Sequence, residues 1–281
     1  MSSGTLYVVA TPIGNLEDIT LRALRILQEV DLIAAEDTRH TRKLLAHYGI
    51  STPLTSYHDY SEVEKTPELI AQLQAGRNIA LVSDAGTPCI ADPGFRLVKE
   101  AGESGVAVVP IPGPSMVMAL LSVGGLPSNR FAFEGFLPAK RSQRRKALQH
   151  LKREERTLVF FESPQRLLDM LADLEEICGD RQIVVGRELT KMFEEVLHGK
   201  VSELRTLFDK RGIKGELAIL VTGQAESDTL KETRPLTEEI QELYAQGFSL
   251  KDIAQMVSDS RGIPKREAYA LGLQIKETAE A

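Results

Sequence analysis

Short apolar runs alternate with amphipathic segments almost from the first residue, and that alternation limits what the chain can fold into. "TLYVVA" (5–10), "DLIAA" (31–35), "NIALVS" (78–83) and "VAVVPI" (106–111) are apolar stretches of strand length. Between them lie helical patterns: Ile19, Ala23, Ile26, Leu27 and Val30 recur near helical spacing, and "TPELIAQLQAG" (66–76) follows suit. Buried strands interleaved with amphipathic helices predict a largely parallel sheet. The second half repeats the pattern with "FAFEGF", "TLVFFES", "QIVVGREL", "EEVLHG" and "GELAILVTG". There "IVVGREL" and "EEVLHG" stand too close for a long helical crossover, so a mixed sheet is expected.

A chain of 281 residues exceeds the usual size of one domain, which favours two α/β domains. Turn residues bracket one apolar helix in "PIPGPSMVMALLSVGGLPS" (110–128), and the expected division is 1–118, 119–225 and 226–281. The last part opens with the polar, aperiodic "QAESDTLKETRP" (224–235), a linker by composition. Three amphipathic helices are expected after it, with breaks at Gly247 and at Gly262/Pro264 and Ser249 as an N-cap. The spacing of 248–273 is that of a helix-turn-helix, which fits either a nucleic-acid contact or a small packing element.

The net charge of -6 argues against a surface that attracts nucleic acid everywhere. The charge is uneven: "AKRSQRRKALQHLKREER" (139–156) holds eight Lys or Arg against two Glu. Such a segment is either a solvated helix face or one directed anionic contact. Cys89 and Cys178 form no CxxC pair, and the five histidines form no HxxxH or HExxH pattern, so no disulfide framework and no metal are expected. No apolar run approaches the ~18 residues that span a bilayer, and the N-terminus lacks a signal-peptide pattern. A cytoplasmic protein with no membrane contact is the expectation.

Four irregular loops follow apolar strands: "ATPIGNLEDIT", "SDAGTPCIADPG", "PIPGPS" and "FFESPQR". Ligands of open α/β sheets sit beyond the carboxyl ends of strands, and Gly and Pro let such loops approach a ligand closely while holding their shape. Neither GxxxxGK[ST] nor GxGxxG is present, so the loops are not a P-loop or a dinucleotide fingerprint. The residues alone lead to a two-domain α/β protein with a ligand cleft at its strand ends.

"LYVVATPIGNLEDITLRAL", "AEDTR", "LVSDAGTPCIADPG", "IPGPS", "FFESPQR", "GRELTK" and "GELAILV" together resemble the tetrapyrrole methylase superfamily of S-adenosylmethionine (SAM) enzymes. Within it they are most similar to members that methylate the ribose 2′-hydroxyl of a cytidine in the decoding region of 16S rRNA. The resemblance implies two α/β domains with SAM in the cleft between them, plus a small C-terminal helical domain. It implies a homodimer and 16S rRNA as partner, within the small ribosomal subunit. It also places the cofactor: Gly86 and Thr87 stand in the loop that holds SAM, with Thr87 where relatives have Asp. Pro12, Ile13 and Gly14 close one side, Ile90 lines the ligand, and Ser115 with Met116 holds another side. Phe161, Leu189 and Leu217 match second-domain contacts.

Methyl transfer to a hydroxyl is an in-line displacement, helped by a base that takes the proton. Glu36, Asp37 and Glu162 are the candidate catalytic groups, and Arg39, Arg166 and Lys191 the candidate phosphate contacts beside them. Asp37 and Arg39 also have the spacing of a pair that merely ties the loop down. Lys140, Arg141, Arg144 and Arg145 of the basic segment are the further candidates for RNA backbone. Two other readings fit fewer features: methylation of a small corrin- or porphyrin-like molecule, and a non-enzymatic nucleic-acid-binding protein.

Overall fold

The computed structural model describes residues 3–224, 236–245, 248–261 and 263–279. Strands β1 (Thr5–Val9), β2 (Leu32–Ala35), β3 (Leu54–Ser56), β4 (Ile79–Val82) and β5 (Ala107–Ile111) form a parallel sheet ordered β3-β2-β4-β1-β5. Helices α1 (Leu21–Glu29), α2 (Thr38–His47), α3 (Glu62–Gln74) and α4 (Phe95–Glu103) connect them. Side chains alternate across the sheet: Ile79 and Leu81 pack with Leu69, Leu73 and Leu97, while Ala80 and Val82 pack with Ile26, Leu27 and Leu44. A sheet covered on both faces must be apolar on both, which is why its strands read as continuous apolar runs.

The second sheet is mixed, as the spacing predicts. It contains β6 (Phe131–Phe136), β7 (Thr157–Glu162), β8 (Gln182–Arg187), β9 (Glu195–Lys200) and β10 (Leu217–Val221) in the order β6-β7-β10-β8-β9. Only β6 and β7 pair parallel. Helix α5 (Met116–Val123) precedes this sheet and belongs to its core, with Val117, Leu120 and Leu121 packed against Val159, Val184 and Leu220. The division expected at 118/119 falls inside this helix, so the sheets part at the turn of residues 112–115. Both sheets lie in one compact unit, residues 1–149 with 157–221.

Helices α6 (Arg141–Leu151), α7 (Pro164–Cys178) and α8 (Val201–Arg211) complete that layer. The contact of α6 with α7 corrects an expectation about the basic segment. Asp173 of α7 is fully buried and accepts hydrogen bonds from Arg141 Nε at 3.1 Å, Arg144 Nε at 2.9 Å and Arg145 Nη1 at 3.1 Å. Arg144 is itself only 2% exposed, and Arg145 also grips Glu176 through two 2.6 Å bonds. Arg144 is thus turned inward onto Asp173 rather than exposed as a phosphate contact would be. Burial would raise the Asp173 carboxyl, but the hydrogen bonds from Arg144, Arg145 and Arg141 outweigh it and hold the group below its usual range. Exposed Lys140 has no ion pair among the described residues, which leaves it accessible to an anionic partner.

Residues 150–156 and the described residues from 222 onward form the other compact unit. Its helices α9 (Leu236–Ala245), α10 (Leu250–Arg261) and α11 (Lys265–Ala279) share a core of Ile240, Ile253, Ala254, Val257 and Ala268. Ser249 caps α10 as predicted, its hydroxyl oxygen accepting the Asp252 N–H at 3.2 Å. Of the linker expected at 224–235, residues 225–235 lie outside the described residues, as do the breaks at Gly247 and Gly262. Among the described residues no helix is long and apolar enough to cross a membrane.

Candidate active site

Strands β1 and β4 are neighbours at the centre of the first sheet, so the loops leaving their carboxyl ends emerge side by side. They are laced together: the Thr11 N–H donates to Gly86 O at 2.9 Å, the Gly86 N–H to Thr11 O at 3.0 Å, and the Thr11 hydroxyl to Ser83 O at 3.1 Å. The β4 loop is contorted. Gly86 (φ +82°), Cys89 (+70°), Ala91 (+66°) and Gly94 (+133°) all take left-handed backbone. A Cβ on Gly94 would lie 2.7 Å from Leu81 Cδ2 and 2.8 Å from Cys89 Sγ, so that position needs glycine. Left-handed Cys89 and Ala91, two residues apart, store strain of a kind that clusters at ligand sites.

Beside this loop, β2 and β4 are clasped reciprocally. Glu36 Oε2 accepts the Asp84 N–H at 3.2 Å, and Asp84 Oδ1 accepts the Asp37 N–H at 3.0 Å. The loops enclose a cavity of about 380 Å³, closed on the far side by the second sheet. The first domain contributes Ile13, Gly86, Thr87 and Ile90, α5 brings Ser115 and Met116, and the second sheet brings Phe161, Glu162 and Leu217. Thr87 donates its hydroxyl to Pro114 O at 3.3 Å, and Ser115 caps α5 through the Met118 N–H. Pro12 and Gly14 line an adjoining recess of about 510 Å³ with Lys43 and Lys191. Leu189 corrects the expectation of a cofactor contact: it is buried in the core of the second sheet, packed among Val184, Ala218 and Leu220.

The charged candidates separate into two kinds. Asp37 caps α2 and takes Arg39 in a clamp of 2.7–3.2 Å, which holds its carboxyl far below the usual range. The Asp37 oxygens are taken up by the α2 cap and by Arg39, the arrangement expected of a pair that ties the loop down. Glu162, 2% exposed, accepts the Ser163 N–H at 2.8 Å, and its Oε2 lies 3.2 Å from Arg166 Nη2 without hydrogen-bond alignment. Arg166 also donates to Leu137 O. Lys191 Nζ is shared between Glu188 at 3.0 Å and Glu216 at 3.1 Å. Arg166 and Lys191 thus spend their charge on carboxylates within the site.

Glu36, Asp84 and Asp92 are the other kind, for they make no ion pair among the described residues. Burial raises the Glu36 carboxyl, opposed by the Asp84 N–H and reinforced by the charges of Asp84, Asp59 and Asp37. Asp92 is pushed up to about 6, first by burial and then by the Glu36 charge, against a hydrogen bond from Ser83 and with Asp84 and Asp59 adding to the rise. Asp84 and Asp92 line the cavity and were not singled out from the sequence. The signal was present: two acids flank the turn residues of a loop that leaves a central strand.

The volume lies in the ~300–1,000 Å³ range of small-molecule sites, and the walls suit SAM on their own chemistry. Ile13, Ile90, Met116, Phe161 and Leu217 offer apolar faces to a flat base, the acidic wall faces a cation, and Glu162 Oε2 awaits a hydrogen-bond donor.

A fold of this kind with its ligand cavity at the strand ends defines a class. The family profile of the tetrapyrrole (corrin/porphyrin) methylases matches residues 5–205. Among solved structures, uroporphyrin-III C-methyltransferase from Thermus thermophilus, complexed with S-adenosyl homocysteine, aligns with a TM-score of 0.54 at 22% identity, over 79% of this chain and 98% of that one. A diphthine synthase aligns with a TM-score of 0.60 at 17% identity, over 78% of this chain and 90% of that one. The chain belongs to the tetrapyrrole methylase family. Relatives similar to it along nearly the whole chain include ribosomal RNA small subunit methyltransferases I. That of Pasteurella multocida is 47% identical over 97% of this chain and 98% of its own length. That of Escherichia coli O157:H7 is 48% identical, over 97% and 96%.

Proposed function

We propose that this chain is a SAM-dependent methyltransferase that methylates the ribose 2′-hydroxyl of a cytidine in the decoding region of 16S rRNA, acting on the small ribosomal subunit. One observation carries the reading. The chain matches small subunit rRNA methyltransferases at nearly half of all positions along almost its whole length.

SAM supplies, when bound, a methyl group on a positively charged sulfur. The chain's residues do the rest. Ile13, Ile90, Met116, Phe161 and Leu217 exclude water and grip an apolar ring. The backbone at Gly86 and Thr87, fixed by Thr11 on one side and Pro114 on the other, presents polar groups that need no reorganisation on binding. Glu36 and Asp84 put negative charge on one wall, which favours a cation there. Holding the 2′-oxygen within ~3 Å of the methyl group, in line with the breaking bond, supplies much of the acceleration.

Lys140 and the exposed side chain of Arg39 are the cations best placed to meet RNA phosphate. A homodimer in the cytoplasm completes the reading, and Met192 and Phe193, large apolar side chains standing exposed side by side, support a partner surface. The test is transfer of tritium from labelled SAM to small subunits lacking the modification, with naked rRNA and a corrin precursor in parallel, followed by nucleoside analysis. Label in 2′-O-methylcytidine at one position is the expected result. Label only in the corrin precursor would move the acceptor to small molecules.

A further inference from the structure

We propose that Asp92 is the catalytic residue that receives the proton of the acceptor hydroxyl. The inference rests on the proposed function and names a residue for it. As the bond from the acceptor oxygen to the methyl carbon forms, the carbon–sulfur bond breaks and leaves its electron pair on sulfur. The hydroxyl proton passes to an Asp92 carboxylate oxygen, so charge and atoms balance.

The geometry selects Asp92 by what surrounds each acid of the site. Glu162 has Arg166, Glu216 has Lys191 and Asp37 has Arg39, so each of these acids already faces a cation of its own. Glu36 and Asp84 are spent on the clasp between β2 and β4, each accepting the other strand end's backbone N–H. Asp92 makes no ion pair and accepts no backbone N–H among the described residues, and the Ser83 hydroxyl near it donates to Ala85 O at 3.4 Å. It lines the cavity directly after left-handed Ala91 and two residues before Gly94, whose conformation and close packing against Leu81 fix the loop. Its charged surroundings are acidic on the first-domain side: Glu36 after β2, Asp59 after β3, Asp84 after β4, with the Cys89 thiol beside it pushed up to about 11 by burial and then by the Asp92 charge. Across the cavity the cations Arg166 and Lys191 are already paired. Burial first, and these acidic neighbours after it, push the Asp92 carboxyl up to about 6, where a base is both deprotonated at working pH and able to accept a proton.

The experiment is single-turnover methyl transfer to unmodified small subunits by wild type, Asp92→Asn and Asp92→Glu between pH 5 and 8.5. SAM and S-adenosyl homocysteine affinities are measured in parallel by calorimetry, and folding by thermal unfolding. The wild-type rate should rise with pH through a value near 6 and then level. Asp92→Asn should lose about 10²–10⁴-fold and the rising limb, with both affinities and the melting temperature kept, and Asp92→Glu should recover part of the rate. A wild-type rate and limb in Asp92→Asn would overturn the inference. So would a variant that binds S-adenosyl homocysteine normally but SAM weakly, since Asp92 would then be a partner for the positive sulfur. A wild-type protein that methylates no RNA would instead overturn the proposed function, and the inference with it.

Discussion

Two groups of charged residues in this molecule solve opposite problems. Between α6 and α7, three arginines converge on the fully buried Asp173, and every charge there has an opposite. At the strand ends of the first sheet, Glu36, Asp84 and Asp92 gather with no ion pair among the described residues, and at Glu36 and Asp92 the proton affinities rise. A buried charge that is paired holds helices together, because removing its partner leaves an uncompensated ion. Like charges left together in a concave site cost stability and yield reactivity. A run of arginines in the sequence marks the structural group, whereas the reactive group is scattered over more than fifty residues.

The largest effect expected from breaking this contrast is at Arg144. Arg144→Ala should lower stability in denaturant by about 3–5 kcal/mol, because Asp173 stays buried with weaker compensation. A loss of RNA affinity with unchanged stability would instead restore Arg144 as a phosphate contact. Acid sharpens the point: the Asp173 carboxyl is held low in the folded state, so its contribution is present above its unfolded value of ~3.9 and fades as pH falls through the lower folded value. Asp173→Asn should remove that acid-sensitive part of the stability curve.

Next is Gly94→Ala, which forces a Cβ into Leu81 and Cys89 at a left-handed backbone position and should cost about 1–3 kcal/mol, read by thermal unfolding. Glu36→Gln is gentler. It removes a negative charge facing Asp92, so the rising limb of the pH–rate profile should move to lower pH while SAM still binds. An unmoved limb would separate Glu36 from Asp92. The smallest effect belongs to Asp37→Asn: asparagine caps a helix as well as aspartate, and single-turnover rates should stay within about twofold.

Much of the fold was legible because the strands of the first sheet, covered on both faces, must be apolar throughout, and because β8 and β9 lie too near in sequence for a crossover. A cleft at the strand ends was legible in the Gly- and Pro-bearing loops, whereas Gly86, Ile90 and Met116 were placed in it by the family resemblance. What was not legible depended on contacts made at a distance. Arg144 and Lys140 look alike in sequence, yet one faces Asp173, 29 residues on, and the other faces solvent. Leu189 follows β8 like a ligand contact but turns into the core. Asp92 is ordinary until the fold brings Glu36 and Asp59 toward it.

The most direct test of the account is a calorimetric titration of SAM into wild type and Ile90→Lys. Ile90 lines the cavity with its side chain 45% exposed, so the substitution puts a cation into the apolar wall without emptying the core. If the strand-end cavity holds the methyl donor, wild type binds one SAM per chain and the variant binds at least about tenfold more weakly, a loss of ~1.4 kcal/mol, at an unchanged melting temperature. Equal affinity in the two proteins would place SAM elsewhere and contradict the account.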